Sequence, residues 1–143
     1  MLNPIITEFS FVNLVIAFAV AWGLSIVIKV ILEISKNKKF DWYYFVTDGG
    51  FPSSHSTLVS SVATVTFFYS GFSLLSFIVV AFAFVIIRDA LGVRMEVGKQ
   101  RLILQKIAKK ESKHLRREGH TFKEVLSGIV LGVIVTAIML LIL

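Results

Sequence analysis

FVNLVIAFAVAWGLSIVIKVILEI, residues 11–34, decides the fold class. Apart from Lys29 and Glu33 near its end, the run carries no charge, and it exceeds the about 20 residues that an α-helix needs to cross a bilayer. Hydrocarbon offers no partner for backbone N–H and C=O groups, so such a run satisfies them internally, as a helix. Working outward, Glu124 to Leu143 is a second run of this kind, nearly free of charge. Between the two lie Thr57 to Tyr69 and Phe72 to Ile87, separated by the turn-forming Ser70-Gly71 and readable as a tight helical hairpin. The pattern predicts an all-α integral membrane protein with about four spans, near residues 11–34, 55–70, 72–90 and 122–143. The whole chain is 143 residues and 56% hydrophobic, against roughly 45–50% in soluble proteins, and its length fits a single domain, 1–143.

The first run follows no basic stretch and ends in Lys29, Glu33 and Lys36, which reads as a retained span rather than a cleaved signal peptide. Cysteine is absent, which excludes disulfides and thiolate metal sites. The net charge is +6, and its distribution is more telling than its size. Lys29, Lys36, Lys38 and Lys39 sit around the first loop, and every other basic residue falls between Arg88 and Lys123. With four spans all of them share one face, the cytoplasmic one by the positive-inside rule. The expected location is therefore a cell inner (plasma) membrane, multi-pass, with both termini outward. Because the basic residues track this topology, nucleic-acid binding is not expected. Between the third and fourth spans, Val97, Leu104, Ile107, Ala108 and Leu115 recur at helical spacing among lysines and arginines. This predicts an amphipathic helix over about 93–117 at the headgroup level, where each basic residue contributes about 1 kcal/mol on anionic lipid.

Two short polar motifs interrupt this apolar scaffold, and each holds a histidine. One is Gly49-Gly50-Phe51-Pro52-Ser53-Ser54-His55-Ser56, and the other Gly119-His120-Thr121-Phe122-Lys123-Glu124. Histidine changes charge near physiological pH, so two of them at one membrane surface point to proton or phosphoryl transfer. Taken singly, each motif also reads as a helix start, with Pro52 in a first turn, serine as a cap, and Thr121 capping the last helix. The Ser56–Thr64 serines and threonines and the Gly128-x-x-x-Gly132 pair read as helix-packing surfaces.

Pro-Ser-x-His followed, after two spans, by His-x-x-x-acid resembles the type 2 phosphatidic acid phosphatases and their vanadium haloperoxidase relatives. The closest likeness is to a divergent bacterial and plastid branch of that superfamily. The likeness rests on Gly-Gly-x-Pro-Ser-Ser-His-Ser, on Asp89 to Arg94 with Gly98-Lys99-Gln100 beyond it, and on Gly119 to Val125. Ser54 stands where the parent family has glycine and Glu124 where it has aspartate. Lys29 and Lys36 keep the spacing of its first motif with lysine for arginine and no following proline, and His114 takes the place of an arginine. The resemblance implies a helical bundle in which His120 attacks phosphorus, Glu124 orients its ring, and His55 protonates the leaving alkoxide. It implies no obligatory metal and no cofactor. Arg94, Lys99, Lys29, Lys36, Ser53 and Ser54 are the expected phosphate ligands, with Arg116 and Arg117 also near. Arg94 leads because guanidinium pairs bidentately with phosphate. Asp89 is expected to pair with Arg88, Arg94 or a lysine, or to orient His55.

The activity implied is hydrolysis of a phosphate monoester or pyrophosphate on a phospholipid or isoprenoid lipid, with phosphatidylglycerophosphate the best fit. The alternatives are a lipid-phosphate binder or translocator without turnover, and a small scaffold protein. The parent bundle usually has six helices, so a homodimer is a further expectation.

Overall fold

The structure, a computed structural model, describes residues 11–38, 40–45, 49–108 and 119–143. Five α-helices follow in order: α1 Phe11–Asn37, α2 Ser54–Ser70, α3 Leu74–Leu91, α4 Val93–Ala108 and α5 Phe122–Ile142, with a 3-10 turn at Trp42–Phe45 before α2. Among the described residues there is no strand. Among the described residues, three helical stretches are long and apolar enough to cross a membrane: Phe11–Asn37, Leu74–Ile107 (α3 running on into α4) and Phe122–Ile142. The protein is an all-α, multi-pass membrane protein.

Three hydrogen bonds fix the directions of the helices. Ser53 N–H donates to Glu124 O at 3.0 Å, and His120 N–H to Ala90 O at 3.1 Å. The starts of α2 and α5 and the end of α3 therefore meet at one end of the bundle. At the opposite end, the Asn13 side-chain amide donates to Leu143 O at 3.2 Å. So α1 and α3 run toward the first end while α2 and α5 start there and run away from it. The described lysines and arginines, from Lys29 to Lys123, all belong to segments at that first end.

The core is built from small residues. Ala17, Ala21 and Ser25 of α1 and Ser56, Thr57 and Ser61 of α2 are fully enclosed. Ser56, Thr57 and Ser61 face Gly128 and Gly132 on the buried stripe of α5, which continues to Thr136. In hydrocarbon no hydrophobic force drives helices together, so close backbone approach and dispersion contacts must do it. A Cβ on Gly132 would lie 2.5 Å from Thr57 O and run into Ser60 Oγ, and one on Gly128 would collide with Ser53 O. The α2 hydroxyls create no polarity problem, because each bonds its own helix. Thr57 Oγ1 donates to Ser53 O, Ser60 Oγ to Ser56 O and Ser61 Oγ to Thr57 O, at 2.7–3.0 Å.

The opposite character marks α3, whose Phe77, Phe82 and Phe84 stand exposed, as residues bathed in lipid do. Helical hydrogen bonding continues through its end, with Gly92 N–H on Arg88 O and Glu96 N–H on Gly92 O, both 3.0 Å. Gly92 itself departs from helical dihedrals, at φ −109° and ψ −82°, and so separates α3 from α4. Val93, Val97, Leu104 and Ile107 form an exposed apolar stripe on α4. The part of the expected amphipathic helix beyond Ala108, with Leu115, lies outside the described residues, as do His114, Arg116 and Arg117.

Candidate active site

Ser53 starts the site. Its backbone is extended, and its buried hydroxyl accepts from Ser56 N–H at 3.3 Å and from Ser56 Oγ at 3.0 Å, the N-cap of α2. This places Ser54 and His55 in the first turn of α2, both partly buried. The Ser53 hydroxyl is thus engaged in holding the helix start, while Ser54 stands beside His55 on the partly open side.

The second histidine arrives by a different route. Gly119 adopts φ +82°, where glycine alone is unstrained, and a Cβ there would sit 2.6 Å from Met95 N. The bend lays the loop against the start of α4 and delivers His120 N–H to Ala90 O. His120 is 1% exposed. Thr121 caps α5 in a capping box: its hydroxyl accepts from Glu124 N–H at 3.4 Å, and Glu124 Oε2 accepts from Thr121 N–H at 2.8 Å.

That box sets the relation of Glu124 to His120. A spacing of four residues would set the two on one face of a continuous helix. The helix begins only at Phe122, so His120 precedes its cap, and the carboxylate reaches back as the closing arm of the box. The same Oε2 lies 3.4 Å from His120 Nδ1. Among the described residues no hydrogen bond forms at that nitrogen, so the carboxylate stands beside the ring without bonding it.

The α2 and α5 starts bring the rings of His55 and His120 to a centroid separation of 6.4 Å, inclined at 62°. Arg94, in the first turn of α4, completes the group. Its Nε donates to Asp89 Oδ2 at 2.7 Å, and Nη1 lies 3.4 Å from His55 Nε2. Asp89 therefore pairs with Arg94, one of the partners left open by the sequence. Both are about one-third exposed, so the ion pair is partly solvated. Two helix N-termini, each with a partial positive charge, point into this cluster and favour an anion there.

The remaining basic residues are arranged differently. Lys29 is 3% exposed within α1, and a Cβ on Gly50 would lie 3.3 Å from its Cε, so its stem packs beneath the loop that leads to His55. Lys36 and Lys99 stand at the surface, each against a carboxylate of its own helix, Glu33 at 4.0 Å and Glu96 at 2.6 Å. The structure thus gathers His55, His120, Glu124, Arg94 and Asp89, buries Lys29 beside the loop, and leaves Lys36 and Lys99 outward. The part sequence reasoning missed is backbone: the carbonyls of Ala90 and Glu124 that tie the two motifs together. Gly119, directly before His120, is the signal that points to it.

The model of the Divergent PAP2 family matches residues 11–135, nearly the whole chain and all of this cluster. The chain belongs to that family. A protein of similar sequence is the "Uncharacterized membrane protein YuiD" of Bacillus subtilis (strain 168), 31% identical, with the match covering 79% of this chain and 84% of the relative. No solved structure matches. The matched segment of this divergent PAP2 chain opens with α1, and so includes Lys29 and Lys36, and closes within α5.

Proposed function

We propose that the protein is a membrane lipid phosphatase that hydrolyses a phosphate monoester or pyrophosphate through a phosphohistidine. The reading rests chiefly on one observation: two separate polar motifs fold so that His55 and His120 face each other, with Arg94 on the first and Glu124 beside the second. Membership of the Divergent PAP2 family, whose match spans these residues, supports a phosphatase-related role.

With Nδ1 turned toward Glu124, the opposite nitrogen of His120, Nε2, attacks phosphorus. The bond from phosphorus to the lipid oxygen breaks, and His55 donates a proton to the departing alkoxide, a contribution of about 100- to 10,000-fold in rate. Water then cleaves the phosphohistidine and releases phosphate. Arg94 neutralises the charge that develops on the phosphoryl oxygens, aided by the starts of α2 and α5. Guanidinium has donors only, so the His55 Nε2 facing it accepts. A phosphate that draws Arg94 onto its own oxygens releases this nitrogen to carry the proton, coupling binding to activation of the acid. Lys29, nearest the loop, and Ser54 are secondary phosphate contacts in this reading, while Lys36 and Lys99, held against Glu33 and Glu96 at the surface, stand outside it.

Phosphatidylglycerophosphate is the substrate of choice in this reading, and the concentration of positive charge at the site end favours a cytoplasmic orientation of that end by the positive-inside rule. The test is phosphate release by purified protein from a panel of phospholipid and isoprenoid phosphates, beside a His120→Ala variant of unchanged thermal stability. Release from one lipid, abolished by the substitution, is the expected result. Lipid binding without release from any substrate would replace the phosphatase with a binder or translocator.

A further inference from the structure

An apolar groove of about 500 Å³ runs along the bundle between α2, α3 and α5. It begins at Ser60, Ile87 and Ile129 and extends past Ala83 to Phe67 and Ala137. Its upper end is fixed relative to the site by sequence alone. Ser60 follows His55 by five residues, Ile87 precedes Asp89 by two, and Ile129 follows Glu124 by five. Measured along the helix axes, the upper end of the groove therefore lies about 8 Å beyond the histidine cluster, at 1.5 Å per helical residue. The lining of α2 then continues to Phe68, a further run of about 12 Å by the same measure.

We infer that this groove holds one hydrocarbon chain of the lipid whose phosphate sits between His55 and His120. The inference rests on the phosphatase reading for the headgroup and adds where the tail lies. Continuity carries it: a polar, cationic end and an apolar trough follow one another along the same three helices, in the order in which a lipid presents headgroup and chain. A second copy of this chain would need room for a whole helix, about 10 Å across with its side chains. The trough is instead an open groove of about 500 Å³ lined by small residues at Ser60, Ala63, Ala83 and Ala137 beside Phe67, a size that suits one hydrocarbon chain.

Apolar matching does not drive a chain from bilayer into groove, since the two surroundings are equally apolar. What the groove supplies is position. A chain confined along α2 holds the phosphate at a fixed depth, and such orientation speeds a reaction by converting an encounter into an intramolecular step. It also implies lateral entry from the membrane, with the phosphate passing the half-buried His55 and Arg94 to reach His120.

The test uses the full protein in vesicles with a diacyl phosphatidic acid carrying a diazirine midway along one acyl chain. Irradiation is expected to label peptides of α2, α3 and α5 around Ala83 and Ala137. Excess unlabelled phosphatidic acid should suppress that labelling, whereas excess neutral diacylglycerol should not. Equal suppression by both lipids would mean ordinary bilayer lipid and overturn the inference. In parallel, Ala137→Phe fills the slot, while Val130→Phe places the same ring on a lipid-facing position of α5 outside it. We expect Ala137→Phe to lower kcat/KM for long-chain phosphatidic acid at least about tenfold and to leave a soluble short-chain phosphate monoester unchanged. Val130→Phe should affect neither. Turnover of long-chain lipid at the wild-type rate by a folded Ala137→Phe variant would sink the groove while leaving the phosphatase intact. Phosphate-dependent labelling without turnover would do the reverse.

Discussion

Arg94 has the least replaceable position in the cluster, because one planar group meets two partners at once: Nε on Asp89 and Nη1 near His55 Nε2. A lysine ammonium is a single point on a flexible stem and cannot hold that fork. Arg94→Lys should therefore lose about 100-fold in kcat, the usual cost of one lost transition-state donor, and Asp89→Asn a smaller amount through misplacement of Arg94. Steady-state kinetics on both variants check this, and an Arg94→Lys variant within a few-fold of wild type would remove Arg94 from the chemistry. The two histidines were legible in the sequence because each sits in a short motif with few other purposes. Which cation would stand beside them was not, since Arg94, Lys99, Lys29 and Lys36 all lie on segments at the same end. Only the approach of the first turn of α4 to the start of α2 selects among them. Glu124 was legible for a different reason than spacing suggests, since Thr-x-x-Glu is itself a capping-box signature that commits the carboxylate to the loop side of the helix.

At the scale of elements, the α2–α5 contact determines the separation of the rings, because each helix starts beside one histidine. Gly132 meets Thr57 O and Ser60 Oγ with no space for a methyl group, whereas Gly23 of α1 has nothing within 4 Å of the corresponding position. Gly132→Ala should force the helices apart and cost about 1–3 kcal/mol, the range for overpacking, together with a fall in activity. Gly23→Ala should be neutral or stabilising by up to about 1 kcal/mol through helix propensity alone. Thermal unfolding of the two variants in one detergent ranks them, and equal melting temperatures would refute the contact. The helices were largely legible: residues 11–34 and 124–143 announce themselves by length, and Ser53 and Thr121 mark two starts. The α2 helix was the least legible, at 17 residues with six serines and threonines between Ser56 and Thr66. Those hydroxyls lower its apparent apolarity, although in the bundle all but Ser56, which donates to the Ser53 hydroxyl, bond the backbone of their own helix, and Ser56, Thr57, Ser60 and Ser61 form the packing face. The boundary at Gly92 was hidden too, since helical hydrogen bonding passes through it.

At the scale of the molecule, the alternating helix directions carry a consequence for topology. The end where α2 and α5 start holds both histidines and the described basic residues, while the Gly71 turn lies at the other end, with Leu143 and the start of α1. If α2 crosses the bilayer as a fourth span, Lys38 and Lys106 share one side and Ser70 faces the other. If α2 stays on the site side, the return of α3 to that side could not begin across the membrane, and Ser70 would share a side with Lys38. The chain contains no cysteine, so single replacements report cleanly. Lys38→Cys, Lys106→Cys and Ser70→Cys, treated in intact cells with a membrane-impermeant maleimide, should divide two against one. Ser70→Cys should react from outside, and the other two only after the membrane is opened. The cost of the alternative is large, because residues 74–91 would lose their lipid environment with Phe77, Phe82 and Phe84 exposed to water. Reaction of all three from one side would remove the fourth span and, with it, the reading of the groove as a slot running down through the bilayer.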